Sequence, residues 1–254
     1  MFEDLRNKVV LITGASTGIG AATARGFGAC GARVVVHYNE SKAAAEDVAR
    51  DVRAAGAQAV LAAGDLTVAS NVASIVGAAM DAFGRIDVLI NNAGGLLGRL
   101  RIEDYTEEHI ARVLALNVVQ VTLFMKHVVP IMRAQQSGNV INVTSIAARH
   151  GGGGGAVLYA AAKGFISTAT RGWAKELVGD RIRVNAVSPG VIVTPFHERY
   201  STPEQLAAMQ ATIPMNRLGT AEECVGTFLY LASDTTSSYV TGQIVEINGG
   251  QFMP

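Results

Sequence analysis

Cysteine is nearly absent from this chain, with two in 254 residues, and there is one tryptophan. Cys30 and Cys224 are too few and too far apart for a disulfide framework or a ligand-spaced metal cluster, so no metal site is expected. Each falls in an apolar helical pattern, which predicts buried thiols of a reducing compartment. Excess charge is also missing: Lys+Arg 21 balances Asp+Glu 21. That speaks against nucleic acid and against an anionic membrane surface as partners. No run of about 18 apolar residues free of charge occurs, so no membrane span is expected. The first ten residues, MFEDLRNKVV, carry acids and no apolar core, unlike a signal peptide. A cytoplasmic protein is the expectation. Charged residues are only 17% against 49% hydrophobic, which excludes disorder and supplies a large core. There is no repeat and no linker, so residues 1–254 read as a single domain.

Glycine is plentiful, 28 in all. Between the glycines, short β-branched runs alternate with helical patterns. Residues 8–13, 32–38, a stretch ending at 64–67, 85–90, 138–144, 182–187 and 243–248 read as strands. Helices are expected over 22–30, 42–54, 72–83, 106–132, 157–178 and 221–233. This alternation predicts an α/β fold, a doubly wound Rossmann-type domain with a mainly parallel seven-stranded sheet. In such sheets ligands bind outside the carboxyl ends of the strands. The distinctive residues collect there.

The first strand runs into Gly14-Ala15-Ser16-Thr17-Gly18-Ile19-Gly20 and then a helix. Glycines admit a pyrophosphate to the backbone, and the helix N-terminus offers unpaired N–H groups to it. The spacing is G-x-x-x-G-x-G rather than the usual G-x-G-x-x-G. The second strand ends at His37-Tyr38-Asn39-Glu40-Ser41-Lys42, where an adenosine ribose would lie. No Asp sits at its tip, and Asn39, Ser41 and Lys42 can donate to a 2′-phosphate. This favours NADP(H) over NAD(H), with Glu40 opposing. His37 reads as a half-buried strand residue. Asp65 can accept from an adenine amino group or cap the following helix, with Leu66 beside it. Asn91, Asn92, Ala93, Gly94 and Gly95 leave room for a flat ring after the fourth strand. Asn117 interrupts an apolar helix, either as a core amide bonded to backbone or as a holder of water in a local kink. Pro189 and Gly190 mark a sharp turn at the same edge. Residues 191–218 read as a lid, and His197 within them as lid chemistry rather than a catalyst.

The fifth strand delivers Ser145. After five glycines, 151–155, a helix carries Tyr159 and Lys163, four apart and therefore on one face. A cation beside a phenol lowers its pKa from about 10, which would make Tyr159 an acid or base near neutral pH. The glycine run either widens the cleft or is simply flexible.

Taken together, Thr13-Gly14-x-x-x-Gly18-x-Gly20, Asp65, Asn91-Asn92-Ala93-Gly94, Asn117, Ser145, Tyr159-x-x-x-Lys163 and Pro189-Gly190 make the chain resemble the short-chain dehydrogenase/reductase family over essentially its whole length. The resemblance implies a nicotinamide cofactor and reversible oxidation of an alcohol to a carbonyl. It implies Tyr159 as general acid/base and Ser145 as the group orienting the substrate oxygen. Lys163 would bind the nicotinamide ribose, Asn117 would hold a relay water, and Ile192 and Thr194 would lie near the carboxamide. It also implies a homotetramer. The gap from Ser145 to Tyr159 is about one residue longer than usual for the family, and the glycine run is expected to absorb it. A sugar, polyol or similar small substrate is expected from the polar lid. A 3-oxoacyl thioester on a carrier protein is the alternative, and a cofactor-sensing binding protein the remote one.

Overall fold

A computed structural model describes residues 2–254. In chain order the elements are β1 (Val9–Ile12), α1 (Gly18–Ala29), β2 (Arg33–Tyr38), α2 (Lys42–Ala54), β3 (Ala59–Ala63), α3 (Ala69–Phe83), β4 (Val88–Asn91) and α4 (Glu107–Leu114). There follow α5 (Gln120–Gln135), β5 (Gly138–Val143), α6 (Ala147–His150), α7 (Val157–Leu177), β6 (Ile182–Pro189), α8 (Pro195–Tyr200), α9 (Pro203–Gln210), α10 (Ala221–Ala232), α11 (Asp234–Ser237) and β7 (Ile244–Ile247). The seven strands form one sheet in the order β3-β2-β1-β4-β5-β6-β7, and every pairing is parallel. The order reverses between β1 and β4, which opens a crevice at their carboxyl ends. The expected doubly wound Rossmann-type sheet is present.

Strands covered on both faces need unbroken apolar runs, and β1, β5 and β6 are buried along their whole length. One core layer packs α1, α2 and α10 on the sheet around Phe27, Val48, Phe228 and Leu231. The other packs α3, α5 and α7 around Ile75, Phe124, Met132 and Leu177. Close approach of α1 to its neighbours depends on missing side chains. A Cβ on Gly26 would lie 2.4 Å from Val225 Cγ1, and one on Gly28 3.0 Å from Val52 Cγ1. The buried Asp87 carboxylate accepts from the Val9 backbone at 2.9 Å and pairs with Arg85 at 2.6 Å, so its charge is not left unpartnered.

Three local expectations need correction. The helix expected over 106–132 is interrupted: between α4 and α5 the backbone widens into a π-helical turn, Ala115–Val119, with Asn117 inside it. The combined run 107–135 is long and apolar enough, by length and composition alone, to cross a membrane. In the fold its buried side chains Phe124, Met125, Val128, Val129 and Met132 belong to the second core layer. Asp65 does not cap α3, whose cap position is Val68. Its Oδ1 instead accepts from the Thr67 N–H (2.9 Å) and hydroxyl (2.8 Å), forming a tight turn. Cys30 is only half-buried, while Cys224 is buried.

Two glycines test this packing against each other. Gly77 in α3 has no atom near the place of a Cβ, so Gly77→Ala is expected to raise stability by about 0.5–1 kcal/mol, the helix-propensity gain. Gly26→Ala forces α10 away and is expected to lower it. Urea midpoints of the two variants decide.

Candidate active site

The glycine loop after β1 is held from three sides. Thr13 Oγ1 accepts from the Asn92 and Ala93 backbone N–H groups, both at 3.0 Å. Asn92 Nδ2 donates back to the carbonyls of Thr13 (2.9 Å) and Gly14 (3.0 Å). His37 supplies the third tie: its Nδ1 accepts from the Gly14 N–H at 2.9 Å, and its Nε2 donates to the Gly64 carbonyl at 2.9 Å. The ring is therefore neutral, and burial holds its pKa below the usual value. His37 is 2% exposed, more deeply buried than the sequence suggests, and it joins the ends of β1, β2 and β3.

Gly14 and Gly18 have φ of 62° and 54°, where other residues are strained. Gly20 has no room for a side chain: a Cβ would meet the Gly14 carbonyl oxygen at 2.3 Å. Helix α1 then starts with no side-chain cap from Thr17, so its first N–H groups are left for a ligand. A cleft of about 790 Å³ runs from this loop along the carboxyl ends of the strands. Gly14, Ser16, Thr17, Gly18, Ile19, Asn39, Ser41, Asp65, Leu66, Ala93 and Gly94 line one part of it, and Pro189, Gly190, Ile192 and Thr194 another. Gly20, Tyr38, Asn91 and Asn117 do not reach it. Asn91 is turned into the sheet, where its Nδ2 donates to Asn142 Oδ1 at 2.8 Å. Tyr38 packs on the core, and Gly20 serves by being small. The uncapped helix end and the cleft along the strand ends, with Gly94 in its lining, fit a dinucleotide.

Ser145, Tyr159 and Lys163 meet in the middle of the cleft. Ser145 follows β5, its Oγ fixed by the Ala147 N–H at 3.1 Å. Lys163 Nζ donates to the Val143 carbonyl at 2.8 Å and lies 5.7 Å from the centre of the Tyr159 ring. The expected depression of the tyrosine pKa is not found in the chain alone. Burial pushes the Tyr159 phenol up to about 12, with the Ser145 hydroxyl pulling the other way. Burial also takes Lys163 down to about 8. Both shifts have one cause, loss of water around the charged form. The lysine spends its hydrogen bond on a strand-end carbonyl and stands over the ring rather than at the hydroxyl.

Asn117 braces the loop opposite. Its Nδ2 donates to the Gly95 and Val113 carbonyls, both at 2.9 Å, and its Oδ1 accepts from the Gly95 N–H at 3.1 Å. It is a core amide bonded to backbone, and it sits in a π-helical kink. Gly94 must be glycine, because a Cβ there would lie 2.8 Å from Asn117 Oδ1 and 3.0 Å from Lys163 Nζ.

The lid consists of α8 and α9, anchored by an isolated bridge between Ile192 and Gly219. Phe196 stacks at a tilt on Tyr159, with centroids 5.8 Å apart, and makes edge contacts with His197 and Tyr200. His197 is bonded to Ser201 through Nδ1 at 3.0 Å. Left-handed backbone recurs through the 151–155 glycine run. Gly151, Gly152, Gly154 and Gly155 all have φ between 65° and 85°. Arg99 ties the loop down, donating to the Gly154 carbonyl at 3.0 Å. Arg99 and Phe196 line the cleft with no motif around them to single them out in sequence.

Three comparisons agree with this geometry. The sequence model of a family described as Enoyl-(Acyl carrier protein) reductase matches residues 14–251. The chain is 40% identical over 253 residues to a 3-oxoacyl-[acyl-carrier-protein] reductase of Synechocystis sp., covering 98% of both chains. It superimposes on the NADH-dependent reductase A1-R′ complexed with NAD with a TM-score of 0.90 at 37% identity, covering all of both chains. A short-chain type dehydrogenase/reductase from Mycobacterium marinum gives a TM-score of 0.92 at 33% identity, with 100% of this chain and 98% of that one covered. The chain therefore belongs to the short-chain dehydrogenase/reductase family and is an oxidoreductase that binds a nicotinamide cofactor.

Proposed function

We propose that the protein reduces a small polar carbonyl compound to the alcohol, reversibly, with Tyr159 as the proton donor. The observation that carries this reading is the convergence of Ser145, Tyr159 and Lys163 in one cleft. The nicotinamide supplies the hydride when bound. Tyr159, neutral at physiological pH, donates its proton to the substrate oxygen as charge develops there, and Ser145 shares that charge by hydrogen bonding. Lys163, still charged below pH of about 8, stabilises the phenolate left behind. Asn117 acts at one remove, holding the Gly94–Gly95 backbone against Lys163; a relay water beside it completes the reading.

A polar lid supports a sugar, polyol or similar small compound. A 3-oxoacyl thioester on a carrier is the second reading, supported by the printed names of relatives such as the Synechocystis protein. Of the three donors that favour NADP(H), Asn39 and Ser41 line the cleft, but Lys42 does not and lies 3.7 Å from Glu46. Glu40 lines it. A carboxylate that forms no ion pair among the described residues suits a free 2′-hydroxyl and repels a phosphate, which supports NAD(H) over NADP(H). A homotetramer is consistent with the exposed apolar residues Leu114, Val119, Val157 and Phe165 on α4, the π-turn and α7.

Three outcomes are expected. Tyr159→Phe lowers turnover by about 10²–10⁴-fold while NADH binding, read by fluorescence titration, stays within about twofold. The rate of carbonyl reduction holds through neutral pH and falls as pH rises through about 8, because the cation at Lys163 is lost there; a rate that climbs across that range contradicts the assignment. In paired titrations NADH binds more tightly than NADPH, and Glu40→Gln narrows the gap.

A further inference from the structure

The substrate side of the cleft carries two arginines that form no ion pair among the described residues. Arg99 and Arg199 line it, and the acids that line the cleft, Glu40 and Asp65, stand at the other end beside the glycine loop. Eight arginines of this chain, among them Arg25, Arg85 and Arg183, pair with a carboxylate. Arg99 and Arg199 pair with none among the described residues.

Arg99 is also held in place. Its Nε donates to the Tyr200 carbonyl at 2.9 Å, and its Nη1 to the carbonyls of Gly154 (3.0 Å) and Gly153 (3.4 Å). These acceptors are neutral, so they orient the guanidinium without cancelling its charge. Nη2 makes no hydrogen bond among the described residues. The charge is felt nearby: it lowers the pKa of His197, adding to the effect of burial. Arg99 is linked to the reacting group through the lid aromatics. Tyr200 touches Phe196, with centroids 5.1 Å apart, and Phe196 touches Tyr159.

A fixed guanidinium with one open edge, in a partly dehydrated cleft, is a receptor for a planar anion. We propose that Arg99 is a specificity-determining residue that binds the carboxylate of an oxo-acid substrate, with Arg199 at the outer rim. The proposal deepens the hydride-transfer reading above and rests on it for the carbonyl.

The test uses the NADH-loaded enzyme and a panel of oxo acids, acetoacetate, levulinate and D-glucuronate, each against its neutral ester or amide. Calorimetric binding is measured first, then turnover. The expected result is at least tenfold tighter binding of one or more acids than of the neutral partner. Arg99→Gln abolishes that difference, Arg99→Lys restores part of it, and NADH affinity stays within about threefold. Equal binding of acid and neutral partner by the wild type, across the panel, overturns the proposal. So does an Arg99→Gln variant that weakens both alike, which would make Arg99 only a strap between lid and glycine loop. A large loss of NADH affinity would assign Arg99 to the cofactor, and tighter binding of glucose 6-phosphate than of every acid would replace the carboxylate by a phosphate. Selective acid binding without turnover of any acid supports the receptor and counts against hydride transfer instead.

Discussion

One hydrogen bond sets the chemistry of the cleft: the Lys163 ammonium on the Val143 carbonyl, at the carboxyl end of β5. An ammonium without water needs acceptors, and a strand-end carbonyl is one that the sheet cannot withdraw. The surroundings are arranged for it. Thr144 Oγ1 donates to the Lys163 carbonyl at 2.9 Å, locking α7 to β5 at the same level. Gly94 leaves room beside Nζ, and Asn117 braces the adjoining Gly95 backbone. Dehydration weakens the lysine as a cation and the tyrosine as an acid together. The pair therefore meets a substrate as neutral phenol and marginal ammonium, the state from which a carbonyl oxygen can be protonated.

The rest of the fold delivers pieces to that bond. The reversal of strand order between β1 and β4 opens the crevice. Ties at Thr13, Asn92 and His37 hold the glycine loop on one side of it, and the fully buried β5 and β6 hold Ser145 and Pro189 on the other. These contacts are mostly to backbone, which explains why small residues recur along the edge. The lid differs in kind. Phe196 lays an apolar face on Tyr159, while Arg99 and its carbonyl partners form a polar outer wall.

Much of this was legible in the sequence because it depends on local pattern. Uninterrupted apolar runs marked the parallel strands, and G-x-x-x-G-x-G between a strand and a helix marked the phosphate loop. The spacing of Tyr159 and Lys163 placed both on one helical face. What depends on burial and on distant partners was hidden. His37 looked like an ordinary strand residue, yet its two bonds reach 23 and 27 residues along the chain. Asn91 and Asn92 looked equivalent, and the pleat sends one into the sheet and the other to the loop. The opposite pKa shifts of Tyr159 and Lys163 could not be read from their spacing, which suggests attraction and says nothing of lost water. Arg99 lies in no motif, and its role depends on a lid a hundred residues away.

The most direct measurement is the titration of Lys163 itself, by lysine side-chain NMR of the wild type with Lys163→Arg as the assignment control. A midpoint near 8 confirms a dehydrated ammonium held on one carbonyl. A midpoint near 10.5, the ordinary lysine value, means that water reaches the nitrogen, and the account of the cleft is then wrong.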